Sequence, residues 1–214
     1  MKSKNLFRRL LVLSPHTDDG EIAAGGTIAR LVSEGTECKY IAFSHCEESV
    51  PEGYPEDILV TEGYKATAVL GIEAGNVSIG DYPVRRLSDY RQDILEELIR
   101  VKNGFDPDLI LAPSLFDIHQ DHKTIAEEAT RAFKNRTLLG YDMPWNCVRF
   151  ETTMLLKITR EQLEKKLAAI NMYESQLSKG YIKEEYIRSL ASIRGSEIQE
   201  EFAEAFQVIR WVYK

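Results

Sequence analysis

Short apolar runs alternate with amphipathic segments through the first two-thirds of this 214-residue chain, and this alternation limits the folds open to it. The runs "LLVLS", "CKYIAFS", "NVSIG" and "LILAPS" are, in this order, four predicted strands, while "LSDYRQDILEELIRVKNG" carries an apolar stripe at helical spacing. Strands and helices that alternate in this way favour a parallel sheet with helices on both faces. The sequence therefore predicts a Rossmann-like α/β fold, with a mostly parallel sheet flanked by helices.

The last third of the chain has a different pattern. "FETTMLLKIT" indicates an extended segment, "REQLEKKLAAINMYESQL" and "YIKEEYIRSLASIRG" are typical of helices, and "FAEAFQVIRWVYK" indicates the end of a helix that leads into a strand. No linker or repeat separates this part from the rest. We therefore expect one domain over 1–214, in which 1–145 forms the core sheet and 146–214 completes the same domain.

Composition argues against several classes of protein. Lys and Arg number 27 against 34 Asp and Glu, which gives a formal charge of -7, and no basic stripe stands out. Nucleic acid is therefore not an expected partner, since phosphate contacts dominate that affinity. The apolar runs are far shorter than the roughly 20 residues of a membrane-spanning helix, and too short for a signal-peptide core. Three scattered cysteines fit a reduced protein, so we expect a cytoplasmic location without a membrane partner.

The loop after the first predicted strand holds three chemically active side chains. In "SPHTDDGE", His16 stands just before the adjacent acids Asp18 and Asp19. One interpretation is a solvated acidic turn in which one of these acids caps the next helix. The other is a bound cation, because its charge offsets the repulsion between two neighbouring carboxylates.

A second acidic loop with histidines follows the fourth predicted strand. In "HQDH", His119 and His122 flank Asp121, and the simpler interpretation has Asp121 cap the next helix. Ligands of open α/β sheets, however, bind beyond the carboxyl ends of the strands, where both loops lie. Together the loops predict a metal site within 1–145. Two histidines and one carboxylate form a recurrent catalytic zinc set that leaves a position for water, and the remaining acid is then free to act as a base.

These motifs, in this order and on these elements, resemble those of the LmbE/PIG-L family of zinc-dependent N-acetylglucosaminyl deacetylases. That family carries P-H-x-D-D after its first strand and H-x-D-H after a later one, and "SPHTDDGEIAAGGTIA" and "HQDH" match both. "YESQ" and "FAEAF" are less diagnostic points of likeness, and the resemblance covers most of the chain. It implies the LmbE-like deacetylase fold in a single domain.

The resemblance also implies a role for each of six side chains in the two motifs. His16, Asp19 and His122 would bind zinc, Asp18 would be the general base, and His119 would assist at the transition state, oriented by Asp121. The chain departs from the family at one point. The family often has Glu directly after the Asp pair, whereas Gly20 stands there in this chain and Glu21 follows. A supporting role for that glutamate is therefore not carried over.

The hypothesis that follows is a hydrolase that removes an N-acetyl group from an amino sugar or a related small molecule. A metal-bound water would attack the amide while Asp18 takes its proton, and a protonated His119 would help to hold the oxyanion. Fe²⁺ or another divalent ion remains open in place of Zn²⁺, since affinity order alone does not select the metal. Two alternatives also stay open: hydrolysis of another N-acyl metabolite, and a non-catalytic α/β module that binds a metal or ligand only structurally.

Two further stretches are candidates for ligand contact. Arg85 and Arg86 follow the third predicted strand, where a guanidinium could bind a sugar hydroxyl, a phosphate or a carboxylate; a surface pair is the alternative. In "AAGGT", Gly25 and Gly26 most simply serve packing, and an anion site at a helix start is the alternative. The expected partner is a small-molecule substrate, an N-acetylated sugar above all. Association into a homo-oligomer is left open.

Overall fold

The computed structural model describes residues 6–177 and 180–213. The strands in these ranges are β1 (Arg9–Ser14), β2 (Glu37–Ala42), β3 (Val77–Ile79), β4 (Leu109–Pro113), β5 (Thr137–Tyr141), β6 (Met154–Ile158) and β7 (Phe202–Arg210). The helices are α1 (Asp19–Ser33), α2 (Ile58–Val69), α3 (Arg91–Phe105), α4 (Gln120–Ala132), α5 (Arg160–Ile170) and α6 (Glu184–Ser196). None of the helices in the described part of the chain has the length and hydrophobicity needed to cross a membrane.

The strands form one sheet in the order β3-β2-β1-β4-β5-β7-β6. The first five of these run parallel to one another, as the alternation of strands and helices predicted. β7 is antiparallel to both β5 and β6. The protein is thus a single α/β domain with a mostly parallel sheet, and β1 and β4 lie side by side at its centre.

Alternate residues of β1 enter the two cores of the domain. Leu10 and Val12 pack in a cluster with residues of α1, α2, α5 and α6, whereas Leu11 and Leu13 pack with residues of α3 and α4. All four leucine and valine side chains are fully buried. A parallel sheet covered on both faces needs apolar side chains at every position of its central strand, which explains the unbroken apolar run.

The structure corrects the sequence prediction in the last part of the chain. "FAEAF" was expected to end a helix, but it is the buried start of β7, and β5 was not predicted at all. The predicted helix over "REQLEKKLAAINMYESQL" ends at Ile170, and Glu174–Gln176 forms a separate 3-10 turn. In β7 the position between two other strands outweighs the helical preference of Ala and Glu, because tertiary context overrides local propensity.

α1, which begins at the first motif, is kinked. Ala24 leaves the helical conformation, with φ -136 and ψ 16. Beyond the kink, the N–H groups of Gly26 and Thr27 donate to the two carboxylate oxygens of Glu204 on β7, at 3.0 and 2.7 Å. The second half of α1 therefore has its own N-terminal cap, supplied by a distant strand.

This arrangement decides between the two interpretations of the glycine pair. The anion at the glycine-rich helix start is the chain's own Glu204, which also pairs with Lys166 at 2.6 Å. A Cβ on Gly26 would lie 2.7 Å from Ile158 Cδ1, and one on Gly25 would lie 2.9 Å from Lys166 Cγ. The glycines thus serve close packing of α1 on β6, β7 and α5.

Candidate metal centre

The two sequence motifs meet at the carboxyl edge of the sheet. β1 and β4 are neighbours, so the loop that carries His16 lies beside the start of α4, which carries His122. Asp19, the first residue of α1, lies between them. Its Oδ2 is 3.1 Å from His16 Nδ1 and 3.2 Å from His122 Nε2. The folding of the chain therefore brings the three predicted metal ligands into one cluster.

A buried carboxylate holds the far nitrogen of each of these imidazoles. Asp121 Oδ2 lies 3.0 Å from His16 Nε2, and Asp117 Oδ2 lies 2.8 Å from His122 Nδ1. In a neutral imidazole, a carboxylate partner fixes the ring proton on the nitrogen that faces it, and the opposite nitrogen has the lone pair. His16 Nδ1 and His122 Nε2, the atoms next to Asp19, are therefore the two nitrogens prepared to bind a metal.

The donor set of the cluster fits a divalent cation. Two imidazoles and one carboxylate are typical of catalytic zinc and related sites, which keep a position open for water. His119 offers a second combination, because one nitrogen each of His16, His119 and His122 all lie within 4.8 Å of one another. Carboxylates behind the ligand imidazoles are also a regular feature of metal sites.

The charges in this cluster depend on one another. Burial acts to lower the pKa of His16, but Asp19 and Asp121 raise it to about 9. Burial is likewise outweighed at His122, whose pKa rises to about 10 beside Asp19 and Asp117. At Asp19 burial acts to raise the pKa, yet the positive charges of His122 and His16 hold it well below its usual range. A buried carboxylate in this place requires positive charge, which a bound cation supplies when it displaces the imidazole protons.

His119 lies against both ligand imidazoles, with ring centroids 5.0 Å from His16 and 4.9 Å from His122. Its Nδ1 accepts a hydrogen bond from the backbone N–H of Asp121 at 3.2 Å and so caps α4. An accepting Nδ1 carries no proton, which leaves the proton on Nε2. Burial and the charges of His122 and His16 also lower the pKa of His119. Both observations favour a neutral His119 that donates through Nε2, in contrast to the protonated imidazole of the sequence hypothesis, and its role at the transition state stays a prediction.

The carboxylate of Asp121 contacts His16, whereas His119, which Asp121 is predicted to orient, is held by the backbone N–H of Asp121. It also accepts the backbone N–H groups of Arg85 and Leu87, at 2.6 and 3.1 Å. Burial acts to raise the pKa of Asp121, but these hydrogen bonds and the His16 imidazole lower it. Because three donors converge on the carboxylate, it is held toward His16, and only the backbone of Asp121 reaches His119.

Asp18 immediately precedes α1 and lines a cavity beside His16 and His119. It stands at the N-cap position, but its carboxylate makes no capping hydrogen bond to the helix. The interpretation of this residue as a capping acid therefore finds no support. Its role as a general base stays a prediction.

Glu21, the acid displaced by one position from the family pattern, lies beneath the first loop. It is fully buried, and its carboxyl group forms hydrogen bonds with the hydroxyls of Tyr40 and Tyr173. Burial raises the pKa of Glu21 to about 8. The same two hydroxyls lie 3.1 and 2.6 Å from the carbonyl oxygen of Thr17. Glu21 thus belongs to the support of the peptide that leads into Asp18.

The two predicted substrate-binding arginines have different surroundings. Arg85 lines the cavity, and its Nη1 lies 3.6 Å from Glu48. Its backbone has φ 65, which is uncommon outside glycine, and its N–H is held by Asp121. Arg86 pairs with Asp89 at 3.0 Å, and its side chain is 65% exposed. Arg85 remains a candidate for substrate contact, whereas Arg86 has the surface position that was the alternative.

The cavity beside the cluster has a volume of about 270 Å³, close to the lower end of small-ligand pockets. Besides Arg85 and the motif residues, its wall consists of Thr17, Cys46, Ser49, Leu59, Val84, Met143, Trp145, Asn146 and Gln176. Burial raises the pKa of Cys46 to about 12, so its thiol is a poor nucleophile. The mixed wall suits a ligand with both apolar and hydrogen-bonding parts.

Sequence reasoning missed two residues of this site, Asp117 and Gln176. Asp117 had a local signal, since it is an acid in the same loop as the second motif and lies five positions before His122. Gln176 had only a weak signal, as the last residue of "YESQ", because a glutamine within a predicted helix is most simply a surface residue. Only the packing of the C-terminal segment against the first motif brings it to the cavity.

The chain is similar to proteins of one family and one fold. Residues 11–133 match the sequence profile described as PIG-L, GlcNAc-PI de-N-acetylase. The uncharacterized deacetylase YaiS of Escherichia coli K12 is 22% identical over 179 residues, which cover 82% of this chain and 95% of YaiS. The structure of N,N'-diacetylchitobiose deacetylase from Pyrococcus horikoshii has a TM-score of 0.78 at 21% identity, covering 95% of this chain and 84% of the deacetylase. GalB, the 4-carboxy-2-hydroxymuconate hydratase from Pseudomonas putida KT2440, has a TM-score of 0.80 at 22% identity, covering 97% of this chain and 98% of GalB.

At these identities the solved structures establish the fold alone, and a deacetylase and a hydratase share it. The sequence profile is more specific, because it spans more than half of the chain and includes both motifs of the cluster. This protein therefore belongs to the PIG-L/LmbE family of deacetylases.

Proposed function

We propose that this protein is a metal-dependent deacetylase that hydrolyses the N-acetyl amide of an amino sugar or a related small molecule. One observation carries the proposal: two imidazoles, each held by a buried carboxylate, converge with Asp19 beside a cavity. Membership of the PIG-L family supports the same reaction. The substrate named for the Pyrococcus deacetylase is an N-acetylated sugar, which supports this substrate class.

His16, Asp19 and His122 would hold the cation in this proposal. Zn²⁺ is the ion we expect, and Fe²⁺ would suit the same ligands. When bound, a divalent cation supplies Lewis-acid polarisation and lowers the pKa of a water molecule. Asp121 and Asp117 keep the two imidazoles in the tautomer and orientation that binding requires.

Asp18 is the residue that we assign as general base. Its carboxylate accepts a proton from the attacking water, whose oxygen adds to the carbonyl carbon of the amide. Asp18 then passes this proton to the amide nitrogen as the C–N bond breaks, so that the products are a free amine and acetic acid, which loses its proton to the solvent and becomes acetate. The position of Asp18 on the cavity wall, next to the ligand cluster, supports this assignment.

His119 is assigned to the developing negative charge on the amide oxygen. Its Nε2–H donates to that oxygen, and the backbone N–H of Asp121 on Nδ1 fixes the ring in the donating tautomer. A neutral imidazole stabilises the oxyanion by a hydrogen bond and without transfer of its proton. The proton of the departing amine therefore comes from Asp18 and not from His119.

Arg85 would bind a hydroxyl or an anionic group of the substrate away from the reacting amide. Its guanidinium is 57% exposed and only loosely paired with Glu48, at 3.6 Å. An exposed pair at that distance is weak, so a substrate group can replace the glutamate at little cost.

The fold does not choose the reaction by itself, since GalB is named a hydratase. The family profile and the deacetylase YaiS favour amide hydrolysis. Hydrolysis of another N-acyl metabolite differs only in the part of the substrate beyond the amide, so it is the alternative that the assay must separate.

Release of acetate tests the proposal. Purified protein is stripped with a chelator, reloaded with Zn²⁺ or Fe²⁺, and assayed on N-acetylated amino sugars and on other N-acyl metabolites. We expect acetate from an amino sugar, loss of release after stripping, and recovery with metal. Release from other amides alone would favour the alternative substrate class, and full activity of the stripped protein would contradict metal dependence.

A further inference from the structure

The amide side chain of Gln176 is buried in the wall of the cavity. The residue ends the 3-10 turn Glu174–Gln176 and is 1% exposed. It shares the cavity with Asp18 and His119, although it comes from the far end of the chain. A polar group in such a place needs a hydrogen-bond partner for each of its atoms.

Two neighbouring groups determine which end of this amide faces the turn. Glu62 of α2, which is 2% exposed, accepts the backbone N–H of Ser175 at 2.9 Å and the Ser175 hydroxyl at 2.6 Å. A carboxylate only accepts, so the hydroxyl proton of Ser175 points to Glu62. The oxygen of that hydroxyl is then left as an acceptor, and Gln176 Nε2 donates to it at 3.0 Å.

Because this chain of hydrogen bonds holds Nε2 against Ser175, the other end of the Gln176 amide, Oε1, is the end available to the cavity. Among the backbone groups and side chains that the structure describes, none donates a hydrogen bond to that atom. Leu59, Val84 and Met143 line the same cavity beside polar residues such as Asn146, and Gln176 itself is 1% exposed. An acceptor in such surroundings is costly when it lacks a donor, and a ligand that brings a donor removes that cost.

We infer that Gln176 determines substrate specificity by accepting, at Oε1, a hydrogen bond from a hydroxyl group of the substrate. The inference rests on the proposed function and narrows it to substrates that carry a hydroxyl within reach of this wall. Glu62 and Ser175 are positioning residues, because they fix the amide with its oxygen toward the cavity. A site built around a buried acceptor rejects an analogue that lacks the donor.

The test combines changes in the enzyme with changes in the substrate. Wild type and Gln176→Met are assayed on N-acetylglucosamine and on its monodeoxy analogues at positions 3, 4 and 6. In wild type we expect kcat/KM for one of these analogues to fall roughly tenfold. We call kcat/KM for the parent sugar divided by kcat/KM for an analogue the deoxy ratio of that analogue. Gln176→Met keeps the side-chain length and removes the acceptor, so its deoxy ratio for the same analogue should lie within about twofold of one.

Two further variants separate recognition from folding. Ser175→Ala removes the hydroxyl that accepts from Gln176 Nε2, so the Gln176 amide is free to rotate. Its deoxy ratio should therefore lie between those of wild type and Gln176→Met. Gln92→Met changes an exposed glutamine that bonds to Glu96 on α3, and every ratio should stay as in wild type. Ser175→Ala also keeps the inference testable if Gln176→Met fails to fold.

The outcomes distinguish failure of this inference from failure of the proposed function. If Gln176→Met lowers kcat/KM by one common factor for all four sugars, or by none, the residue is not a specificity determinant and the inference is overturned. If metal-loaded wild type releases acetate neither from these four sugars nor from the other N-acetylated amino sugars and N-acyl metabolites of the first assay, the proposed function itself fails, and this inference fails with it.

Discussion

Carboxylates that look alike in the sequence have different positions around the imidazoles of His16 and His122, the two predicted metal ligands. Asp19 contacts both rings on the side that is prepared for a metal. Asp117 and Asp121 hold the far nitrogens, and Asp18 lines the cavity. Because each acid meets a different atom, substitutions of single acids should separate metal binding from catalysis.

The variants Asp117→Asn and Asp18→Asn test this separation. Asp117→Asn weakens the group that orients His122, so we expect a loss of metal affinity of about 10- to 100-fold. Asp18→Asn removes the base, so we expect kcat to fall by about 10²- to 10⁴-fold with metal affinity close to that of wild type. Competition with a chromogenic chelator measures the affinity, and acetate release measures kcat. Full turnover by Asp18→Asn, or wild-type metal affinity in Asp117→Asn, would contradict the assigned roles.

At the scale of elements, α1 depends on β7, the strand nearest the C-terminal end of the described sequence. The kink at Ala24 frees backbone N–H groups in the middle of the helix, and Glu204 of β7 accepts two of them. Lys166 of α5 pairs with the same carboxylate, and both residues are 4% exposed. One buried charge pair, Glu204 with Lys166, therefore connects β7 and α5 to α1, the helix that begins at Asp19.

Glu204→Gln should destabilise the protein by about 3–5 kcal/mol, because it leaves the charge of Lys166 buried without its partner. Adding Lys166→Met to that variant should restore part of the free energy of unfolding, since the uncompensated charge is then gone. Urea unfolding measures both. The control is Glu201→Gln, which breaks an exposed pair with Arg160 and should cost less than about 1 kcal/mol. If Glu204→Gln and Glu201→Gln lower the free energy of unfolding equally, the buried pair does not have the stabilising role assigned to it.

At the scale of the whole molecule, the site joins parts of the chain that lie far apart in sequence. His16 follows β1, His122 opens α4, and Gln176 comes from the C-terminal segment. Unfolding separates these groups, so a metal that binds all of its ligands at once binds the native state alone. Metal binding should therefore stabilise the whole fold and not only the loops around it.

Zn²⁺ at about 100 times its Kd should raise the free energy of unfolding of wild type by about 2.7 kcal/mol. The increment should disappear in His122→Asn, which lacks one ligand, whatever that variant's stability without metal. His45→Asn is the matched control, because His45 contacts Gly80 and Glu47 outside the ligand cluster and should keep the increment. Denaturant unfolding with and without Zn²⁺ provides the measurement. An equal increment in His122→Asn would mean that the ion binds elsewhere.

Local patterns in the sequence determined the class of the fold and the place of the site. The apolar runs and helical stripes predicted a parallel sheet, and the polar residues after "LLVLS" and "LILAPS" predicted a cluster at its carboxyl edge. Both inferences use information within a few residues, because strand and helix periods are properties of the local backbone. The pairing of β1 with β4 then brings the two motifs together.

Only the tertiary structure decided which groups are partners within that frame. Residues such as Ala203 and Glu204 lie in a strand because β7 is enclosed between β5 and β6, although their local preference is helical. Asp121 faces His16 because three donors converge on its carboxylate, and Gln176 reaches the cavity because Glu62 and Ser175 hold its turn. Hydrogen-bond partners and burial are set by packing between segments that are distant in sequence, so no local pattern contains them.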